Sequence, residues 1–200
     1  MTYTRGLLIF ISSLSLAACE DQGFGDGNTP STGIVTLSDE GEIPDQNYEE
    51  DGGSGSHSDL SVVGTALTGY AYSYGLVDGT TNFVGVAGIA PASDPGDAIT
   101  TGTVSYDGTY ALTHVDEDSE TFVTGDITLI AAFDTGSVTG DDGDLVVNGN
   151  FSGTNLGGRV TYEDLTANLD GVVGTDAVVG AFAGNDSESL IVGGIVATPE

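Results

Sequence analysis

Short runs of Val, Ile, Thr, Tyr and Phe, each broken by Gly, Asp-Gly or Asn, follow one another from residue 60 to the C-terminus at a spacing of about ten residues. This texture constrains the fold more than any single motif. The chain holds 32 glycines in 200 residues, and glycine inside a helix costs about 1 kcal/mol relative to alanine, so no helix of useful length is expected. β-Branched and aromatic residues fit a pleated surface instead. Alternation is plainest in Ile127-Thr128-Leu129-Ile130-Ala131-Ala132-Phe133, which places Ile127, Leu129, Ala131 and Phe133 on one face. Tyr70, Tyr72 and Tyr74 mark another. Asp78-Gly79 and Asp107-Gly108 each stand between two such runs and read as hairpin turns, because Asp and Gly supply the positive φ of a tight type I′ turn. Further strand candidates are residues 145–151, 158–162, 165–169, 177–183 and 190–197. A sheet of this size with short antiparallel connections must close or stack to protect its edges. The expected fold class is all-β, an about eight-stranded, mostly antiparallel β-barrel over residues 60–200.

The only cysteine, Cys19, follows Leu16-Ala17-Ala18 at the end of an apolar run that starts at Leu7, with Arg5 upstream. The run is too short to cross a hydrocarbon core of about 30 Å and matches the apolar region of a secretory signal. Small residues just before the cysteine point to a bacterial lipoprotein signal, with residues 1–18 removed and Cys19 lipidated. Several acyl chains, each burying methylenes at about 0.8 kcal/mol apiece, anchor a protein far more firmly than one. The alternative is an ordinary secretory signal with an incidental cysteine. The expected location is the cell envelope, at the outer membrane, on its periplasmic face or at the cell surface. With no second cysteine, an intramolecular disulfide is excluded. Residues 19–59 are rich in Gly, Ser, Asp, Glu, Asn and Pro and read as a disordered acidic tether, in which only Gly33-Ile34-Val35-Thr36-Leu37 could form a strand.

Charge sets the next limit. The sequence has no lysine, two arginines (Arg5 and Arg159) and 31 acidic residues, a formal charge of -29 at pH 7. Nucleic acid is excluded as a partner, because its phosphates would be repelled at every approach. Attachment to a membrane is expected through lipid alone, with the polypeptide held off anionic headgroups. The acidity reads either as adaptation to salty surroundings, where screening within about 10 Å mutes the repulsion, or as attraction for cations or a basic partner.

Chemistry-bearing residues are few. His57 falls in the expected tether and His114 in the expected barrel, where His114-Val115-Asp116-Glu117-Asp118-Ser119-Glu120 reads as a solvated acidic loop with a metal or catalytic site as the alternative. Neither a nucleophile elbow nor an HExxH helix motif occurs. Asp141-Asp142-Gly143-Asp144 offers hard oxygens without matching a calcium loop. No catalytic residue, metal or cofactor is assigned. Tyr70, Tyr72 and Tyr74 read as barrel wall, with a stacking platform for a flat ligand or sugar as the weaker alternative. Arg159 reads as an ion-pair partner for acids such as Glu163.

Several short pieces resemble the lipoprotein barrel domain shared by transferrin-binding protein B and factor H binding proteins. Val178-Val179-Gly180-Ala181-Phe182-Ala183-Gly184, then Glu188, then Gly193-Gly194-Ile195-Val196-Ala197 is similar to that family's closing hairpin. Residues 126–134 followed by Gly136-Ser137-Val138-Thr139-Gly140 resemble a strand with a terminal aromatic and its continuation, and residues 101–108 resemble an earlier hairpin. The resemblance implies a filled eight-stranded barrel displayed on a lipidated tether, binding host proteins or haem-related ligands without catalysis. Two-lobed members carry a handle domain before each barrel, and residues 20–59 read as too short and too polar for one. The near-absence of Lys and Arg makes transferrin itself an unsuitable ligand.

The sequence therefore points to a non-catalytic, monomeric, lipid-anchored binding module for a protein or small ligand, of an iron- or haem-acquisition kind. The alternatives are an integral eight-stranded outer-membrane barrel, a structural envelope protein and a metal-dependent enzyme.

Overall fold

The computed structural model describes residues 27–50, 52–63 and 66–200. Cys19, the signal segment and the first part of the expected tether lie outside them. The described residues form twelve strands and no helix: β1 Thr29–Ile34, β2 Gly55–Val63, β3 Ala66–Leu76, β4 Asn82–Ile89, β5 Thr103–Asp116, β6 Glu120–Ala132, β7 Ser137–Asp141, β8 Leu145–Ser152, β9 Asn155–Tyr162, β10 Leu165–Val173, β11 Val178–Asn185 and β12 Ser189–Pro199. Strands β5 to β12 close an eight-stranded antiparallel barrel in the order β10-β11-β12-β5-β6-β7-β8-β9, as the short turns require. The face expected from alternation is the inner one: Ile127, Leu129, Ala131 and Phe133 are all buried. They join Tyr106, Tyr110, Leu112, Leu145, Phe182 and Ile191 in one continuous core.

Outward positions on the far wall are polar. Asn148, Arg159 and Asn168 stand side by side across β8, β9 and β10, exposed and in register. Apolar side chains inside and polar ones outside are the reverse of a barrel whose outer wall faces lipid. The polarity of this wall weighs against the integral outer-membrane reading. Among the described residues Arg159 makes no ion pair, since in β9 it neighbours two amides rather than Glu163.

A second layer, unforeseen in the sequence, precedes the barrel. Strands β1 to β4 form a four-stranded sheet in the order β1-β4-β3-β2, so the expected tether is structured over much of its length. The boundary expected at residue 60 falls inside β2, and the barrel starts only at Thr103. Residues 29–63 look too polar to fold because their stabilising partners come from elsewhere in the chain. β1 takes its backbone hydrogen bonds in parallel from β4, pairing Thr29 with Asn82 through Ile34 with Ala87, which needs no apolar side chains. Leu37 then closes over the backbone of Gly88 and is buried.

The same layer corrects two further expectations. Tyr70, Tyr72 and Tyr74 lie in β3 of this sheet, not in the barrel wall. Asp107-Gly108 is not a turn: β5 runs through it, pairing Gly108 with Ile127 on one side and Ala197 on the other. Glycine is required there because a Cβ would meet the Val196 carbonyl and Ala197. Asp78-Gly79 does turn the chain between β3 and β4, with Gly79 at φ 70°.

The sheet lies on the barrel strand over strand. β1 and β4 cover β11, and β3 and β4 cover β12; beyond them Tyr72 of β3 reaches Thr113 of β5, and at the margin His57 of β2 meets Phe122 of β6. β11 and β12 are consequently buried on both faces.

Candidate functional site

The seam between sheet and barrel gathers most of the aromatic chemistry of the chain. Alternation in β3 turns Tyr70, Tyr72 and Tyr74 toward the barrel, where they are 1%, 0% and 5% exposed. They pack with Phe83, Ala87, Ala111, Val115, Ala181, Leu190 and Val192. The phenols of a buried seam need partners. Tyr72 shares a hydrogen bond of 3.2 Å with Thr113 Oγ1, and Tyr74 donates to Glu120 Oε1. Burial raises the pKa of all three above the usual phenol range; the carboxylate of Asp59 adds to the rise at Tyr70, and that of Glu120 at Tyr72 and Tyr74. On the opposite face of the sheet, Tyr48 reaches Ser73 at 3.2 Å.

The seam opens where β2 overhangs β6. His57 lies with its ring centroid 5.5 Å from Tyr72 and 5.2 Å from Phe122. Phe122 is 54% exposed, the one aromatic among the outward positions of β6, which also hold Glu120, Thr124, Asp126, Thr128 and Ile130. Beside it runs a groove of about 320 Å³ lined by His57, Asp59, Tyr70, Tyr110, Thr124 and Asp126. Two carboxylates and an imidazole thus border an aromatic floor. His57, expected in a tether, lies in β2, and Phe122 carries no motif in the sequence. The available signal was one aromatic in the polar phase of an alternating strand.

The acidic turns are occupied with their own closure. Asp116 Oδ1 accepts the N–H groups of Asp118 and Ser119, and Oδ2 accepts the Ser119 hydroxyl. Asp142 Oδ1 accepts from Asp144 and Leu145, and Asp186 Oδ1 from Glu188 and Ser189. Desolvation works to raise Asp116 and Asp142, yet the donated hydrogen bonds outweigh it and both carboxyls fall below the usual range. Asp186 is lowered first by the Glu188 N–H. His114 sits between two of these turns, adding to the lowering of Asp116 and Asp186, and meets Tyr162 edge-on at 6.0 Å. Those carboxylate oxygens therefore serve the hairpins, and among the described residues no three His, Cys, Asp or Glu side chains are arranged to hold a metal ion.

No family model and no curated protein matches the sequence. Among solved structures the chain is similar to the haemoglobin receptor HpuA from Kingella denitrificans in its apo form, at 13% identity over 66% of this chain and 55% of that one, with a TM-score of 0.45. HpuA in complex with human haemoglobin matches at 12% identity, with the same coverage and a TM-score of 0.44. The chain spans about half the length of these structures, at 55%.

Proposed function

We propose that this chain is a non-catalytic binding module, held at the bacterial outer membrane by lipid on Cys19, and a single-barrel relative of the transferrin-binding protein B and factor H binding protein lipoproteins. A protein or haem-type ligand is bound on its outer surface. The observation that carries the reading is the contrast between a filled barrel interior and an open seam. The inner face is a continuous apolar core of packed side chains, whereas the seam exposes Phe122 next to His57, beside a groove bordered by two carboxylates. Exposed aromatics at the edge of a rigid scaffold are where binding energy concentrates. The closing hairpin of β11 and β12 supports the family reading, since it pairs the two quoted motifs residue for residue from Val178 with Ala197 to Asn185 with Leu190.

Two measurements test this function. Cells expressing the chain and fed labelled palmitate should incorporate label and carry the protein in the envelope fraction, and Cys19→Ser should abolish both. Immobilised protein should retain haem or a haem protein, with Phe122→Ala weakening retention. Label that persists in Cys19→Ser, or retention indifferent to Phe122, overturns the corresponding half of the proposal.

A further inference from the structure

Two strand edges of this molecule end on the same side, one above the other. β2 is hydrogen-bonded to β3 alone among the described strands. Beneath it, β6 is paired with β5 along its length, but β7 joins its other edge only from Leu129 to Ala132. The edge of β6 from Glu120 to Thr128 thus has no strand partner among the described residues. Tyr72 of β3 bonds Thr113 of β5, His57 of β2 meets Phe122 of β6, and Asp59 shares a groove with Asp126, so both open edges point the same way. The layers of such a stack stand about 10 Å apart, and a further strand would sit about 4.8 Å from either edge.

We propose that this open side takes an extended, positively charged segment of a partner protein as an additional β-strand. The proposal deepens the binding-module reading and rests on it only in placing the partner outside the barrel. Unpaired edges supply main-chain donors and acceptors in a row, the requirement for recognition by strand addition. Side chains specify the charge. Asp59 and Asp126 line the groove under β2. Asp107, Asp126, Asp141 and Asp142 line an adjoining hollow of about 600 Å³ where β6 parts from β7. The sequence contains no lysine, and its arginines are Arg5, outside the described residues, and Arg159, on the far wall in β9. Basic side chains of an added strand would lie among the carboxylates, and an apolar one would cover Phe122. A second copy of this chain would bring its own Asp59 to the same edge, and residues 20–26 of this chain carry Glu20, Asp21 and Asp26; like charge opposes both.

The test uses the whole chain in mild non-ionic detergent with three synthetic peptides of about ten residues: alternating Arg and Val, the same peptide with Glu for Arg, and the Arg-Val peptide N-methylated at alternate residues. Calorimetry should show binding of the Arg-Val peptide, none of the Glu-Val peptide, and at least about tenfold weaker binding of the N-methylated one. Amide exchange should slow in Gly55–Val63, Glu120–Ile127 or both on adding the peptide. The double variant Asp59→Asn, Asp126→Asn should bind about tenfold more weakly. Equal binding of the N-methylated peptide, protection confined to other segments, or full affinity in the double variant overturns the proposal. Edges already protected without peptide overturn it too, in favour of a second copy if protection rises with protein concentration and of this chain's own N-terminal segment if it does not. Retention of a haem-type ligand through Phe122 with no peptide binding would leave the function standing and reject the added strand.

Discussion

Gly193 and Gly194 occupy adjacent positions of β12 and serve its opposite faces. A Cβ on Gly193 would run into Phe182 inside the barrel, and one on Gly194 would overlap the ring of Tyr70 in the sheet. The pair lets both layers approach one strand closely. Gly194→Val should therefore overpack the seam at a cost of about 1–3 kcal/mol, read as a lowered urea midpoint with faster proteolysis within β2 to β4. Gly33→Ala, in open space with nothing within 4 Å of its added carbon, is the control and should stay within about 0.5 kcal/mol. At Tyr72 the hydroxyl and the ring separate cleanly. Tyr72→Phe leaves Thr113 without its partner and should cost about 1 kcal/mol, while Tyr72→Ala empties a fully buried site and should cost about 3–5 kcal/mol; equal losses from the two would reject the packing account. Of these features the glycine doublet was visible in the sequence but its purpose was not, because a missing Cβ does not say which neighbour uses the space.

Strand β3 is the element on which the two layers depend. Its tyrosines keep their protons in the folded state because burial opposes the phenolate, and Tyr110 on the neighbouring β5 does the same through burial and its bond to Asp142. A pKa raised on folding contributes stability that is complete below the unfolded value of about 10 and is lost as pH climbs above it. Each phenol held protonated in the native state but ionised in the unfolded chain removes about 1.4 kcal/mol per pH unit. Denaturant midpoints should fall steeply above pH 10, with a shallower slope in Tyr72→Phe; a midpoint level to pH 11 rejects the assignment. The hairpin carboxylates act in the opposite sense. Asp116, Asp142 and Asp186 have folded pKa values below their unfolded ones, so their contribution is present above about pH 4 and disappears as pH falls through the folded values. That β3 existed was legible from Tyr70-Ala71-Tyr72-Ser73-Tyr74. Which sheet it joined was not, since alternation defines the faces of a strand and not what covers them.

Taken whole, the molecule is a two-layer β-structure with its apolar surface inside the barrel and in the seam, bearing a formal charge of -29. Self-repulsion on that scale is screened by salt. The melting temperature should rise with sodium chloride from low to seawater-like concentration; an unchanged value would show that the acidity carries no stability cost. Strand type, the eight-stranded closure and the inner face of β6 followed from the sequence alone, because period-two alternation and short turns are local properties of a chain. The four-stranded sheet, the straight passage of β5 through Asp107-Gly108 and the groove around Phe122 required the tertiary structure. Each depends on a partner far away in sequence: β4 for β1, Ala197 and Ile127 for Gly108, His57 for Phe122. A polar segment such as residues 29–34 folds when another strand offers it a row of hydrogen bonds, and that offer is written nowhere in the segment itself.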